Sequence, residues 1–583
     1  MKSIYKICFA AMASAGVFTS CAKKDLLDPT VVRTLNEELT FSDSVRTVAF
    51  VTAIYSELGA NSFTSRYGNG GSLAEGSDES VSRLFGATQP WVPLMIGTLN
   101  STRTTPYEKV YNNGWNNIRR VNTFLKNYNK LPLAEETKNQ LLGEVKFLRA
   151  WYFWSMVQHF GGLPIIGDKL YTLDDTILEP RASYEDCIEY LVSELDEARE
   201  LLQAPGDQGG EDYGRANKGF CMGLKARILM FAASPLYNGG QESIANIDQK
   251  PLIGYDAPYD NKRWDRAFEA AKDLMDTNWY TLVENNATPG RGFYELFITR
   301  KNNEFIFPAM AGSNRTMEAN FLPRSRNGNV NGCPSLNAAK RFGTNKGLPI
   351  TDPASGFNAA DPFKNRDPRF NYTILNNGDK WRTNASGTAT PIWTHIGAGT
   401  DGVDASLVYT GMFFRKFCNE SSTANAGTNT DRVMPIIRFA DILLMHAEAA
   451  IEKPTPDYAA AAEDIIRIRK RAGIQPGADN RYGLKDDNTV EYWREIIRNE
   501  RAVELCLEDS RFWDVRRWKT APVELNTTIM RLMITKVADN QFTYAELPVD
   551  KNPIRVFQPH HYFFPLPMTE VMKNREMLQN PGY

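Results

Sequence analysis

Residues 138–164 read KNQLLGEVKFLRAWYFWSMVQHFGGLP, and the spacing of their apolar side chains sets the fold class. Leu141, Val145, Leu148 and Tyr152 recur at helical spacing and so share one face. From Leu148 to Val157 the stretch is apolar on nearly every side. A helix of that kind is buried all round, which takes a large protein to surround it. Gly161, Gly162 and Pro164 then end it.

Working outward, the same period predicts helices over Phe41–Leu58, Tyr107–Tyr128, Ser183–Leu202, Gly219–Ala233 and Asp265–Asn278. It returns at Pro435–Ile451, Tyr458–Ala472 and Thr489–Glu508, with Gly473 as a C-cap. Helices therefore come in adjacent pairs early and late, without a clean repeat period. Between them, residues 280–434 are rich in Gly, Asn, Pro and Thr and carry no long period; Glu304–Ala309 is a candidate strand. Loops of this size in compact proteins usually carry function. A second Gly- and Ser-rich loop spans 59–106, and the Pro- and aromatic-rich end after Pro548 reads as an extended closing segment.

The chain has 583 residues, 42% apolar and 23% charged, with 67 basic against 69 acidic residues. That balance lacks the basic excess of a nucleic-acid binder. At the start, Lys2 and Lys6 precede the uncharged run Ile7–Phe18, and Phe18-Thr19-Ser20 leads into Cys21. This is a secretory signal, too short to span a bilayer. Small residues before Cys21 resemble a lipobox, with cleavage after residue 20 and acylation of Cys21. Beyond it, Cys187, Cys221, Cys333, Cys418 and Cys506 show no C-x-x-C pair. A zinc site is therefore not indicated, and the helical Cys187, Cys221 and Cys506 read as small core residues.

Chemistry-bearing clusters read as structure. Glu500, Glu504 and Glu508 lie one helical turn apart and can pair with arginines of neighbouring elements. Asp441 and Glu448 share a helix face with His446 off it, which suits a hydrogen-bond network. His560 and His561 are adjacent, and in an extended segment they point opposite ways. Phosphate-loop, nucleophile-elbow and dinucleotide fingerprints are not found. No cofactor, metal or catalytic residue is assigned, and the reading is a binding protein, not an enzyme. Loop aromatics and charged residues are the candidate ligand contacts. They are Arg66, Tyr67, Asp78, Arg83 and Trp91 in the early loop, and Tyr294, Phe321, Trp381 and Trp393 in the central insert. Trp91 and Trp393 sit among Pro and polar residues, so they are expected to form a ligand pair whose removal costs binding and little stability.

Four segments, in order, resemble the SusD/RagB family of outer-membrane nutrient-binding lipoproteins. They are Phe147–Phe153 running on to Phe160–Pro164; Arg438–Ala449; Asn499–Leu505 with Arg511–Trp518; and Phe564–Pro567 with Gln579–Tyr583. The resemblance implies a mostly α, SusD-like fold: tetratricopeptide-like helix pairs as scaffold and a large irregular loop-rich insert. It implies a ligand site between the early loop and the insert, and a glycan or peptide as ligand. The implied partner is a SusC-like TonB-dependent outer-membrane transporter. It further implies a lipid-anchored protein of the cell outer membrane facing outside, although the basic start Cys21-Ala22-Lys23-Lys24 departs from the usual acidic run. The expected organisation is a signal peptide at 1–20, a tether at 21–40 and a helical part at 41–279 with the binding loop 59–106. The insert at 280–434 and a C-terminal helical part at 435–583 follow. Rival readings are a secreted helical glycoside hydrolase and a helical-repeat scaffold that binds only peptide or protein.

Overall fold

Apolar periodicity becomes a stack of helices in the computed structural model, which describes residues 37–58, 73–82, 89, 91–102 and 105–583, apart from 242, 247, 286, 385 and 551–553. The principal helices are α1 (Ser44–Tyr55), α2 (Thr105–Asn127), α3 (Glu135–Phe160), α4 (Tyr184–Leu201), α5 (Lys218–Ala233) and α6 (Arg263–Asp276). After the insert come α7 (Phe439–Glu452), α8 (Tyr458–Ala472), α9 (Val490–Glu504) and α10 (Ser510–Arg517). Helices α2 to α6 pack in chain order, each on the next. Helix α6 then packs on α7, so the stack closes across the insert as though 280–434 were an excursion from it. Helices α8 and α9 both pack against α7.

The central helix α3 is buried on nearly every side over its second half: Phe147, Leu148, Ala150, Tyr152, Phe153, Trp154, Met156, Val157 and Phe160 all lie inside. Close approach is needed where α2 crosses it. A Cβ at Gly114 would stand 2.3 Å from Met156 Sδ, so a larger residue there would have to push the Met156 side chain aside. Gly161, at φ +79°, ends the helix and donates its N–H to Val157 O at 2.9 Å. Ser183 caps α4 by accepting the Asp186 N–H at 3.0 Å, and Asp457 caps α8 by accepting that of Ala460 at 3.0 Å.

Two helix boundaries differ from the periodic reading. Residues 435–438 are not helical: they end strand β8 (Thr430–Arg438), which pairs antiparallel with β2 (Phe305–Asn314). Val433, Ile436 and Ile437 favour a strand, and Pro435 faces Pro308 at a register irregularity, where neither ladder N–H is missed. The second difference is at Glu504, where α9 stops instead of running to Glu508. Leu507 and Asp509 turn the chain at φ +64° and +63°. The freed carbonyls of Glu504 and Cys506 accept from Lys416 Nζ at 3.2 and 2.7 Å, so buried cations replace the lost helical donors.

The insert holds short antiparallel pairs. Strand β1 (Ser80–Ser82) pairs with β3 (Gly332–Pro334), joining the early loop to the insert. Strand β4 (Ile374–Leu375) pairs with β7 (Phe413–Phe414), and β5 (Lys380–Arg382) with β6 (Ala389–Pro391). A hairpin follows the helices, β9 (Met530–Ala538) with β10 (Gln541–Pro548). One apolar core runs from Phe41 to Met577, and a smaller one under the hairpin gathers Phe342, Phe370, Ile374, Met412, Leu532 and Ile534. No helix among the described residues is long and apolar enough to cross a membrane.

Candidate ligand-binding site

The charged motif of α9 and α10 is built into the scaffold. Arg438 donates to Glu304 and Glu504, both at 2.7 Å, and to Glu508 at 2.8 Å. Arg471 joins Glu304 and Glu504 from α8, and Arg369 reaches Glu500 at 2.7 Å and Glu504 at 2.9 Å from the insert. Burial alone would raise the Glu504 pKa; Arg471, Arg438 and Arg369 outweigh it and hold the carboxylate well below its usual range. Glu448 binds Arg517 at 2.6 Å and the Trp518 indole at 2.7 Å, Asp441 binds Arg501 at 3.0 Å, and His446 Nδ1 meets Asp464 at 2.6 Å. These groups bolt helix to helix and helix to insert, so their charges are met within the scaffold. The histidine pair departs from expectation: Pro559–Tyr562 is a 3-10 turn, not extended chain, so the His560 and His561 rings lie 4.1 Å apart. Burial pushes the His561 pKa down to about 3, which keeps that ring neutral. No group of three or more metal-ligating side chains occurs among the described residues.

The expected lipidation residue Cys21, and Arg66, Tyr67 and Arg83 of the expected contacts, lie outside the described residues. Five others are interior. Asp78 is locked to Arg511 at 2.9 Å and to Arg341. Tyr294 stacks on Tyr372 at 5.3 Å, while its hydroxyl donates to Cys418 O at 3.1 Å and accepts the Glu420 N–H at 2.8 Å. Phe321 packs edge-on to Phe414 at 5.4 Å. Trp381 is 2% exposed, and its indole donates to Ser422 O at 2.8 Å. Trp91, also 2% exposed, begins a short helix (Trp91–Ile96) and packs with Val92 and Met95. The expectation that Trp91 pairs with Trp393 as a ligand face, at little cost to stability, is therefore corrected. An irregular segment has no period from which inside and outside can be read, and these rings turned inward.

Trp393 keeps ring surface in solvent, and the fold gives it company. It follows β6 and lies beside Gly378, whose φ of +95° only glycine adopts readily; a Cβ there would already touch the indole at 3.6 Å. Phe542 of β10 lies 5.7 Å from Trp393 and 5.6 Å from His395, at 32° to each, and all three are half-buried. The backbone N–H of Ile396 donates to Ile534 O at 2.8 Å, which fixes this segment to the hairpin. Tyr544, two residues along β10, shares the face of Phe542 and meets Phe363 edge-on at 5.6 Å. The result is a ledge of tilted rings held on a rigid ribbon, a surface on which flat C–H faces can stack. His395, Phe542, Tyr544 and Phe363 escaped the sequence reading. The signal was there in the alternation Phe542-Thr543-Tyr544 after an Asp539-Asn540 turn.

Comparison with known proteins bears on the scaffold. A family model described as "SusD family" matches residues 296–583, and a second, described as "Starch-binding associating with outer membrane", matches 61–229. A SusD-like protein P25 of Formosa agariphila is 24% identical over 472 residues, covering 77% of this chain and 75% of the relative. A SusD-like protein of Bacteroides ovatus is 22% identical over 396 residues, 66% of this chain and 60% of that one. Among solved structures, a SusD-like protein of Bacteroides fragilis superposes with a TM-score of 0.76 at 24% identity, covering 94% of this chain and 99% of that chain. A SusD-like carbohydrate-binding protein of the same species gives 0.69 at 20% identity, covering 92% and 99%. These superpositions establish a mostly helical, SusD-like fold, and with the two family matches spanning early helices, insert and C-terminal helices, the chain belongs to the SusD family.

Proposed function

We propose that this protein captures an oligosaccharide at the outer membrane and passes it, unaltered, to a SusC-like TonB-dependent transporter, while anchored by a lipid on Cys21 and facing outside. The observation that carries the reading is the ledge of Trp393, His395 and Phe542: three half-buried rings on a braced ribbon, in a chain of the SusD family. Aromatic faces stack on sugar rings through their apolar C–H surface, and such stacking needs no reactive group. The motif carboxylates Glu500, Glu504 and Glu508 are held by arginines and so are not placed as an acid–base pair. A relative in the same fold is described as carbohydrate-binding, and the N-terminal family model as starch-binding, which makes malto-oligosaccharides the first probe.

The test is calorimetric titration of the protein with a panel of neutral oligosaccharides, followed by product analysis. Trp393→Ala and Phe542→Ala are each expected to weaken binding at least about tenfold, a loss of roughly 1.4 kcal/mol. Because both rings are half-buried, Tm should fall by only a few degrees. Unchanged affinity in both variants, or shortened oligosaccharides in the product mixture, would overturn the reading. Co-purification with a large outer-membrane barrel tests the transporter step.

A further inference from the structure

A second cleft of about 610 Å³ lies between α9 and the segment 343–351; its lining includes Lys340, Arg341, Arg494, Arg498, Asn499 and Trp518, and none of Trp393, His395 and Phe542. That volume is in the range of sites that enclose a small ligand. Its cations differ in one respect. Lys340 is paired with Glu546, Arg341 with Asp78 and Glu524, and Arg494 with both oxygens of Glu452 at 2.7 and 2.8 Å. Arg498 stands apart: none of the ion pairs formed among the described residues includes it, and its Nε is buried without a hydrogen-bond partner. Its guanidinium lies 4.9 Å from the centre of the Trp518 ring, and Trp518 is itself pinned by its bond to Glu448. The cation is thus held beside a fixed ring, with its Nε unpartnered. Burial lowers the Arg498 pKa, with Glu448 opposing and Arg494 and Arg517 adding to the fall, so a counter-anion would be favoured there.

We propose that this cleft binds an oxyanion carried by the ligand, a carboxylate or a sulfate ester on an acidic saccharide, through Arg498. A guanidinium fork matches both groups with two parallel N–H···O bonds, and a fork already held on an aromatic face loses less freedom on binding. Glu491 and Glu495 stand in the same cleft, on α9 and exposed. They repel a polyanion, so the site favours a saccharide bearing one localised charge. The inference rests on the capture reading only in taking the ligand to be a saccharide.

Four probes separate the possibilities in titrations of the full chain: glucuronosyl xylotriose and its carboxyl-reduced form, and neocarrabiose 4-sulfate and its desulfated form. The expected result is that at least one acidic member binds ten times or more tighter than its neutral counterpart. Which pair shows the preference tells carboxylate from sulfate. Arg498→Met, which keeps the stem over Trp518 and removes the charge, is expected to abolish the preference, and Arg498→Lys to leave it weakened but measurable. Neutral sugars report on the ledge and the acid-over-neutral ratio reports on Arg498, so failure of one reading is distinguishable from failure of the other. No preference for either acid, or a preference that survives Arg498→Met, would sink the proposal; if that variant fails to fold, undiminished preference in Arg498→Lys does the same.

Discussion

Two neighbouring carboxyls on one strand approach show how single residues feel this interior. Asp78 is buried and would be raised by that alone, but Arg511 and Arg341 hold it well below the usual range. Glu79, next to it, is 2% exposed and, unlike Asp78, forms no ion pair among the described residues. Burial, with the Asp78 charge adding and Arg511 opposing, pushes its pKa from 4.5 up to about 8. The folded chain therefore keeps a proton at Glu79 that the unfolded chain releases above pH 4.5. Stability from this group is complete below about pH 4.5 and is lost as pH rises through about 8. Glu79→Gln, which cannot ionise, is expected to be more stable than the parent at pH 9 by on the order of a few kcal/mol. The two should converge at pH 5, as read by denaturant melts across that range. Parallel profiles would show that Glu79 does not titrate there. Nothing near these two carboxyls in the chain marks the pair, because which carboxyl meets an arginine depends on groups far along the chain.

At the scale of elements, the helices were legible and the ribbons were not. A long apolar period such as that of α3 leaves one solution, and the ends marked by Gly161, Ser183 and Gly473 fall at or within a residue of where cap chemistry puts them. The run Pro435–Arg438 misled, since four apolar-rich residues before a true helix share its phase while also suiting a strand; β2, more than a hundred residues earlier, decided between them. The short helix Trp91–Ile96 is a second such element. Met95 O accepts the Val556 N–H at 2.9 Å, so this turn fastens the early loop to the closing segment. Trp91→Ala should leave a cavity costing about 3–5 kcal/mol, with oligosaccharide affinity of the folded fraction unchanged. Calorimetric melting and titration of the same sample check both halves; loss of affinity at unchanged Tm would return Trp91 to the ligand face.

For the molecule as a whole, one core spans Phe41 to Met577, so the parts on either side of the insert are expected to melt together. Cys187, Cys221, Cys333, Cys418 and Cys506 are all buried and free, so that cohesion comes from packing and ion pairs, not from disulfides. Reductant is expected to leave Tm unchanged, and thiol reagents to label these five only after unfolding. A Tm lowered by several degrees in reductant would reveal a cross-link. What the sequence settled unaided is what depends on neighbours in the chain: the helical class, the buried α3, the caps, and the phase that lines Glu500 and Glu504 along one side of α9. Tertiary structure alone decided which partners met. Arg369 reaches Glu504 from 135 positions away, Phe542 comes to lie beside Trp393, and Trp91 and Trp381 turn inward. Those outcomes follow from the energy of packing and desolvation between remote segments, which leaves no periodic trace in a loop.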